Sequence, residues 1–393
     1  MKIEEIQKEL KKKGIDGWLF YDFHNRDLLA YSILSIDKNK LHTRRWYYFI
    51  PAEGEPRKLV HNIESKVLDS LPGAKSKYFQ WQQQHTLLKE ILLRTRKIAM
   101  QYSPMNAIPY VSMVDAGTIE LIRSFGVEVI SSADLVQIFE SYISEQTFAM
   151  HLEAGKYVHK ALHAAWAKMK ELTVKGSPFT EYDIQQCIIS EFNVSNLSWE
   201  DGAPIVAVNK NAADPHYEPT KEKDTPVRQG DLVLIDVWAK LKKPGAVYFD
   251  ITWMGYMGDS VPDKYAKVFE IVKTARDSAV TFIKDKVRNN ENVYGYQVDD
   301  VARNYIVQNN YGNYFTHRTG HCIGESVHGN GANIDNLETR DERMLMPGNL
   351  FSIEPGIYLD EFGIRSEIDV FINEKKEVIV TGEKQEQIVP ILI

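Results

Sequence analysis

Cysteine is scarce in this sequence, which has only Cys187 and Cys322 among its 393 residues. Two thiols cannot build a disulfide framework, so a disulfide-stapled secreted scaffold is excluded and a reducing compartment fits. The first residues, MKIEEIQKELKKKG, are charged throughout and lack the apolar core of a secretory signal peptide. We therefore expect a cytoplasmic protein.

Long apolar runs and an excess of positive charge are also missing. No stretch reaches the roughly 20 apolar residues that a bilayer-spanning helix needs, so we expect no membrane association. The chain has 47 Lys and Arg against 54 Asp and Glu, a net charge of −7. This balance argues against nucleic acid as a main partner. Hydrophobic residues make up 44% of the chain, and its length suits two domains with sizeable cores.

The two predicted domains cover residues 1–145 and 146–393. In the first, short strand-like runs such as residues 46–51 alternate with helical patterns such as residues 113–124. This alternation favours an α/β domain with a mostly parallel sheet. The His and Asp residues of this domain are scattered, so we expect it to be structural or to cap the substrate.

The second domain begins with a long helical pattern over residues 145–172. Two series of helix, helix and strands follow, which is a weak internal repeat at the level of elements. The strands of the first series carry two aspartates, and those of the second carry a histidine and two glutamates. Two such halves facing each other would bring these side chains into one cleft.

His159 and His163 lie four residues apart on the first of these helices, so their side chains share one face. Such a pair can bind a metal ion when a third ligand is at hand. No further ligand lies near them in the sequence. We therefore expect solvated or packed histidines here.

Carboxylates stand inside or directly after apolar strands at four positions. Asp236 lies in LVLIDVW, Asp250 in FDITW, Glu354 in SIEPG and Glu367 in GIRSE. An ionised carboxylate is costly to bury there unless it is paired or bound to metal. The even separation of the two aspartates places them on one face of a regular hairpin. For a single carboxylate, a salt bridge such as Arg365 with Glu367 is the alternative.

His321 adds an imidazole to these carboxylates, in the segment TGHCIG. Four carboxylates and one histidine suit a pair of hard to borderline divalent cations. Cys322 is an alternative soft ligand, which the oxygen-rich remainder of the set disfavours. His317 and His328 lie on either side of this segment. Each could transfer protons, could support a metal ligand without binding the metal, or could be structural.

These motifs resemble the metallopeptidase family that contains prolidase, aminopeptidase P and methionine aminopeptidase, with creatinase as a metal-free relative. The motifs cover residues 145–393, whereas residues 1–145 resemble a creatinase-type N-terminal domain in size and composition. The resemblance implies an α+β fold. A pita-bread catalytic domain, with two α/β pseudo-repeats around a curved antiparallel sheet, would follow an N-terminal creatinase-type α/β domain.

The resemblance also implies the roles of the site residues. It implies two divalent metal ions, Mn or Co first and Zn or Fe as alternatives, with Asp250 and Glu367 bridging them. The implied metal ligands are Asp236, Asp250, His321, Glu354 and Glu367. The implied catalytic residues are His216, His328 and Glu354. The implied substrate-binding residues are His216, His317, Arg340 and Arg365. Arg340 lies in the charged run ETRDER, so a solvated surface residue is its alternative.

The implied function is an Xaa-Pro dipeptidase of prolidase type, a homodimer that acts on small peptides. The alternatives are an aminopeptidase P type of Xaa-Pro aminopeptidase, a non-peptidase hydrolase or lyase, and a metal-free binding relative. Trp238, Trp253 and Gly329 stand where the family usually has glycine, arginine and glutamate. These departures concern the substrate more than the metal, because all five ligands are present.

Overall fold

The chain divides into two units, residues 1–140 and 141–393, in a computed structural model that describes residues 3–215 and 217–392. The strands of the first unit are β1 (Gly17–Asp22), β2 (Trp46–Pro51), β3 (Arg57–His61), β4 (Ala74–Tyr78), β5 (Lys97–Met100) and β6 (Glu128–Ser131). Its helices are α1 (Ile3–Lys13), α2 (Leu28–Leu34), α3 (Trp81–Ile91), α4 (Ala116–Ser124) and α5 (Ala133–Glu140).

The six strands of the first unit form one sheet in the order β4-β3-β2-β1-β5-β6. Strand β2 is antiparallel to both of its neighbours, whereas the other three pairings are parallel. The expected mostly parallel sheet is confirmed, since β2 alone of the six strands runs against the others and the turn after β2 reverses the chain into β3. Trp18 and Leu19, neighbours on β1, pack into separate apolar clusters, so both faces of the sheet are covered.

The second unit has four long helices and ten strands within its described residues. The helices are α6 (Glu145–Val174), α7 (Glu181–Val194), α8 (Asp263–Arg288) and α9 (Gly295–Gln308). The strands are β7 (Leu197–Ser198), β8 (Ile205–Val208), β9 (Leu232–Leu241), β10 (Phe249–Tyr256), β11 (Leu350–Ile353), β12 (Gly356–Tyr358), β13 (Gly363–Arg365), β14 (Ile368–Ile372), β15 (Val378–Thr381) and β16 (Val389–Pro390).

Local sequence determines where these helices begin. The Ser144 hydroxyl accepts the Thr147 N–H at the start of α6. Thr180 and Asp183 form a reciprocal capping box at the start of α7. Within the described parts of the chain, no helix has the length and apolar character to span a membrane.

The antiparallel pair β9 and β10 is the centre of the second unit. Strand β9 also pairs with β7 and β8, and β16 adds to β10 in parallel. The apolar face of α6 packs on one side of this pair, with Val158 and Leu162 in the same cluster as Ile235 and Ile251. The other side of the pair faces the remaining strands, which form the sheet β11-β14-β15 and the hairpin β12-β13.

Hydrogen bonds from backbone N–H groups connect β10 to the second group of strands. The N–H of Asp250 donates to Asp369 Oδ2 at 2.8 Å, and the N–H of Glu367 donates to the Thr252 carbonyl at 3.2 Å. The predicted strand at His321 is wrong, because that segment is irregular. Isolated bridges at its flanking residues, Gly320 and Cys322, hold it in place.

Candidate metal centre

The pairing of β9 with β10 places the two strand aspartates on one face. Asp236 lies opposite Thr252, and Trp238 lies opposite Asp250. Since Asp236 and Trp238 are two residues apart on one strand, Asp236 and Asp250 are diagonal neighbours on the same side. Both side chains are buried.

The other three candidate ligands come from the second half of the unit. The N–H of His321 donates to Ser352 Oγ at 2.9 Å, which fastens the histidine segment to β11. Glu354 follows β11 directly, and its N–H donates to the Thr319 carbonyl at 2.7 Å. Glu367 lies between β13 and β14. The structure thus brings together all five predicted ligands, which we name the acidic centre: Asp236, Asp250, His321, Glu354 and Glu367.

Distances within the acidic centre fit a divalent cation. His321 Nε2 lies 3.5 Å from Asp250 Oδ2 and 3.4 Å from Glu354 Oε1. One ligand atom from each of Asp250, His321 and Glu367 lies within 4.8 Å of the others. Metal bonds of about 2.0–2.2 Å to nitrogen and oxygen separate neighbouring ligand atoms by roughly 3–3.5 Å. A cation therefore fits between these atoms.

The protonation of His321 also suits a metal ligand. Its Nδ1 lies 3.2 Å from the carbonyl oxygen of Cys322, where it donates a hydrogen bond. The Nε2 lone pair then points to the carboxylates, as in metal sites where an outer hydrogen bond selects the tautomer. Burial lowers the pKa of His321, which favours the neutral ring.

The carboxylates of the acidic centre need positive charge to stay ionised. Burial raises the pKa of Asp250 and of Glu367 well above the usual range, and the neighbouring carboxylates raise both further. Asp250 Oδ1 is buried and has no hydrogen-bond partner among the described residues. Bound cations would satisfy this oxygen and hold the carboxylates ionised, so the side chains fit metal ions.

Arg365 holds Asp236 in place instead of pairing with Glu367. Its Nη2 donates to Asp236 Oδ2 in a short, buried ion pair. Its Nε donates to Thr252 Oγ1 at 2.9 Å, and its Nη1 donates to the Tyr358 hydroxyl at 3.2 Å. The Thr252 hydroxyl in turn donates to Glu367 Oε2 at 2.7 Å. One guanidinium therefore orients carboxylates from both halves of the unit.

His317 reaches this network through Tyr358. His317 Nε2 lies 2.7 Å from the Tyr358 hydroxyl, and its Nδ1 lies 2.7 Å from the Arg318 carbonyl. Burial, followed by the charge of Arg365, lowers the pKa of His317 to about 3. The ring is therefore neutral at physiological pH and accepts a hydrogen bond from the tyrosine.

The remaining predicted residues differ in their distance from the acidic centre. The ring of His328 packs edge-on against that of His321, with centroids 4.3 Å apart, and is exposed. Arg340 is exposed, pairs with Glu342 at 3.0 Å and lies over the Tyr296 ring at 4.4 Å. Neither of these two contacts joins Arg340 to the acidic centre. His216 lies outside the described residues.

Two of the family departures have a local explanation. A side chain at Gly329 would begin 2.9 Å from Cys322 Sγ, so Cys322 takes the space that a glutamate would need. Trp253 lies on β10 an odd number of residues from Asp250, so it points to the opposite face, toward α6. Only Trp238 shares a face with the two aspartates.

Sequence reasoning missed three residues that support the ligands. Thr252 and Tyr358 carry the hydrogen bonds to Arg365, and Asp369 accepts the N–H of Asp250. The sequence held a clue to two of them. Thr252 lies two residues after Asp250, and Asp369 lies two residues after Glu367, so each points to the same side as the candidate ligand before it. Tyr358 had none, since its role depends on the β12-β13 turn.

Comparison with known proteins gives the class of this chain. Residues 149–374, more than half of the chain, match the model of metallopeptidase family M24. The chain therefore belongs to metallopeptidase family M24.

Its relatives are peptidases that it matches over part of their length. A provisionally named Xaa-Pro aminopeptidase of Mycoplasma genitalium is 30% identical over 229 residues, 56% of this chain and 59% of that protein. An Xaa-Pro dipeptidase of Lactobacillus helveticus is 32% identical over 197 residues, 48% of this chain and 47% of that protein. The chain thus spans about half to three fifths of the length of these two relatives.

A solved structure of similar fold covers almost the whole chain. The dipeptidase PepE from Mycobacterium ulcerans has a TM-score of 0.67 over 99% of this chain and 96% of that chain, at 22% identity. At that identity the likeness concerns the fold. Together with the family match, it confirms the expected class: a pita-bread catalytic domain preceded by an α/β domain.

Proposed function

We propose that this chain hydrolyses the peptide bond before proline in small peptides, and that Xaa-Pro dipeptides are its first substrates. The observation that carries the proposal is the convergence of four carboxylates and His321 on one face of the β9-β10 pair, in a chain of family M24. Peptidase relatives named for Xaa-Pro substrates support the choice of proline.

Two divalent ions would be held by the acidic centre. The family resemblance assigns the bridging positions to Asp250 and Glu367. Asp236 would complete one site, and His321 and Glu354 would complete the other. The ions supply Lewis acidity and lower the pKa of a water molecule. An oxygen-rich set favours Mn²⁺ or Co²⁺, with Zn²⁺ or Fe²⁺ as alternatives.

Proton transfer is assigned to Glu354. Its side chain is 13% exposed, more than those of Asp250 and His321, and Ser352 Oγ donates to its Oε1 at 3.1 Å. Glu354 can therefore take a proton from the attacking water and pass it to the leaving nitrogen. His328, exposed beside His321, would donate to the carbonyl oxygen as negative charge develops there. We propose from the family resemblance alone that His216 positions the substrate.

Substrate length is the finer part of the proposal. A dipeptidase must recognise a free carboxylate close to the scissile bond, and Arg340 is our candidate for that role. The pairing of Arg340 with exposed Glu342 favours a second candidate function, an Xaa-Pro aminopeptidase that accepts longer peptides. Arg365 already forms an ion pair with Asp236, so we propose that it orients this carboxylate and does not bind the substrate. We also propose a cytoplasmic homodimer.

The test is a rate comparison on Xaa-Pro, Xaa-Pro-Xaa and Xaa-Ala substrates with the Mn²⁺-loaded protein. The proposal expects hydrolysis before proline, fastest for the dipeptide. Equal rates on the dipeptide and the tripeptide would replace the dipeptidase with the aminopeptidase. No hydrolysis of any of the three by a metal-loaded protein would contradict a proline-specific peptidase and direct the search to other hydrolase or lyase substrates.

A further inference from the structure

A second group of metal-binding side chains lies on the other side of the β9-β10 pair. His159 and His163 project from one face of α6, and the structure brings Glu383 beside them from the segment after β15. One ligand atom of each residue lies within 4.8 Å of the others. The expectation that no third ligand is near is therefore wrong, because Glu383 comes from 224 residues beyond His159. We name these three residues the histidine cluster.

The spacing and chemistry of the histidine cluster match a zinc site. His163 Nε2 lies 3.5 Å from Glu383 Oε2. Tetrahedral zinc with bonds of about 2.0–2.2 Å separates its ligands by roughly 3.3–3.5 Å, and two histidines with one glutamate form a known zinc set. The side chains of His163 and Glu383 are 51% and 62% exposed, so water can take the fourth position.

His159 is the buried member of the cluster, at 6% exposure. Burial lowers the pKa of His159 to about 4, so the ring is neutral at physiological pH. The N–H of Glu383 donates to His159 Nε2 at 2.9 Å, which turns that lone pair toward the glutamate segment. Its Nδ1 is buried and unpartnered among the described residues. When a metal ion binds, the Nε2 lone pair would form a bond to the metal in place of the hydrogen bond from the Glu383 N–H.

Trp253 orients both imidazoles. Its ring lies edge-on to His159, with centroids 5.9 Å apart, and edge-on to His163, with centroids 6.0 Å apart. An arginine at this position, as the family resemblance leads one to expect, would place a positive charge against a bound cation. Tryptophan removes that repulsion. Because Trp253 and Asp250 point to opposite faces of β10, the histidine cluster is separate from the acidic centre.

We propose that His159, His163 and Glu383 bind one Zn²⁺ ion, which fastens the segment after β15 to helix α6. This site does not depend on the proposed peptidase function. It predicts one more zinc ion per chain than the acidic centre holds, and it predicts that zinc raises the unfolding temperature.

The direct test is crystallography of the protein grown with Zn²⁺, using anomalous difference maps measured on both sides of the zinc absorption edge. The proposal expects a peak bonded to His159, His163 and Glu383. Zinc at the acidic centre with none at the histidine cluster would overturn the proposal, whatever the peptidase assays show.

A solution test uses His163→Asn and Glu383→Gln, with Glu386→Gln as the matched control on the same exposed segment. Competition with a chromophoric chelator should show one zinc ion fewer in each cluster variant. Loss of an outer-shell partner alone costs 10–100-fold in metal affinity, so loss of a ligand should cost at least about 100-fold. Added zinc should raise the unfolding temperature of the wild type and the control by more than that of the two variants. Equal affinities in all four proteins would refute the site.

Discussion

The acidic centre and the histidine cluster lie on opposite faces of one strand pair and differ in the atoms they offer. The acidic centre has four carboxylates and one imidazole, most of them buried. The histidine cluster has two imidazoles and one carboxylate, and two of its three side chains are about half exposed or more. Oxygen-rich sets suit Mn²⁺ and similar ions, whereas mixed nitrogen and oxygen sets suit zinc.

The difference in burial shows what each cluster requires of its metal. Burial and the neighbouring carboxylates raise the pKa values of Asp250 and Glu367, so bound cations would favour the ionised forms of these two side chains. The histidine cluster holds a single carboxylate, and that side chain is exposed, so it carries no such penalty. The two proposals therefore assign metal-dependent chemistry to the acidic centre and a metal-dependent contribution to stability to the histidine cluster.

The largest effect should come from Glu367→Gln. Gln keeps the shape but not the charge of the proposed bridging ligand, so both metal positions are weakened at once. Metal catalysis supplies several kcal/mol of transition-state stabilisation, so hydrolysis of Xaa-Pro dipeptides should fall by about 1,000-fold or more. The same change at exposed Glu386 is the control. If the Glu367→Gln variant keeps the wild-type kcat/KM, the reaction does not take place at the acidic centre.

Arg365→Met should lower stability. Removing one partner of a buried ion pair leaves an uncompensated charge, which typically costs about 3–5 kcal/mol in the free energy of unfolding. Asp236 would be that charge. Arg365→Lys should recover only part of the loss, because one ammonium cannot replace the bonds to Asp236, Thr252 and Tyr358.

Urea unfolding of the metal-free proteins measures both changes, with Arg288→Met, at an exposed position, as the reference. A loss below about 1 kcal/mol in Arg365→Met would show that the ion pair is replaceable, as surface pairs are.

Arg340→Ala asks whether substrate recognition extends beyond the acidic centre. A charge-assisted hydrogen bond to a free carboxylate is worth about 1.5–3 kcal/mol, so kcat/KM on Xaa-Pro dipeptides should fall by roughly 10–100-fold. The rate on Xaa-Pro-Xaa should stay unchanged. An equal loss on both substrates, or none, would return Arg340 to the exposed surface where it pairs with Glu342.

His151, on the same helix as the histidine cluster, should contribute a smaller, pH-dependent effect. It is fully buried, with Nδ1 2.7 Å from the Tyr248 carbonyl and Nε2 2.9 Å from Thr381 Oγ1. Burial lowers the pKa of His151 from 6.5 to about 4. The native state therefore binds this proton less readily than the unfolded chain does. The stability it confers is complete above pH 6.5 and is lost as the pH falls toward 4.

The size of this effect is about 1.4 kcal/mol per pH unit for one proton. His159 and His317, whose pKa values are also lowered, add to the slope in the wild type. Unfolding free energies at pH 7, 6 and 5 should therefore fall less steeply in His151→Gln than in the wild type. Parallel curves would show that folding does not lower the pKa of His151.

The sequence predicts the residues of the acidic centre more completely than those of the histidine cluster. All five residues of the acidic centre could be expected to lie together. A carboxylate in an apolar strand is unusual, strand periodicity placed the two aspartates on one face, and the family resemblance completed the set with His321. The helix α6 followed from the helical pattern of its sequence. Glu383 could not be found, since it is one of many exposed glutamates and only the tertiary fold brings it to the histidines. Thr252 was overlooked because a threonine in a strand is ordinary.

What the sequence did not show also has physical causes. The alternation of strands and helices predicts the mostly parallel sheet of the first unit but not the reversed strand β2, which a short turn connects to β3. The segment at His321 is irregular because its hydrogen bonds go to Ser352 and to neighbouring loops instead of to a regular strand ladder. Short apolar runs next to glycines are poor evidence for strands.

The most direct test of the account is metal reconstitution of the chelator-treated protein, followed by its rate on an Xaa-Pro dipeptide. We expect no activity without metal, recovery that is complete at two Mn²⁺ ions per chain, and no recovery in Glu367→Gln. Full activity of the wild type with no metal bound would contradict the account.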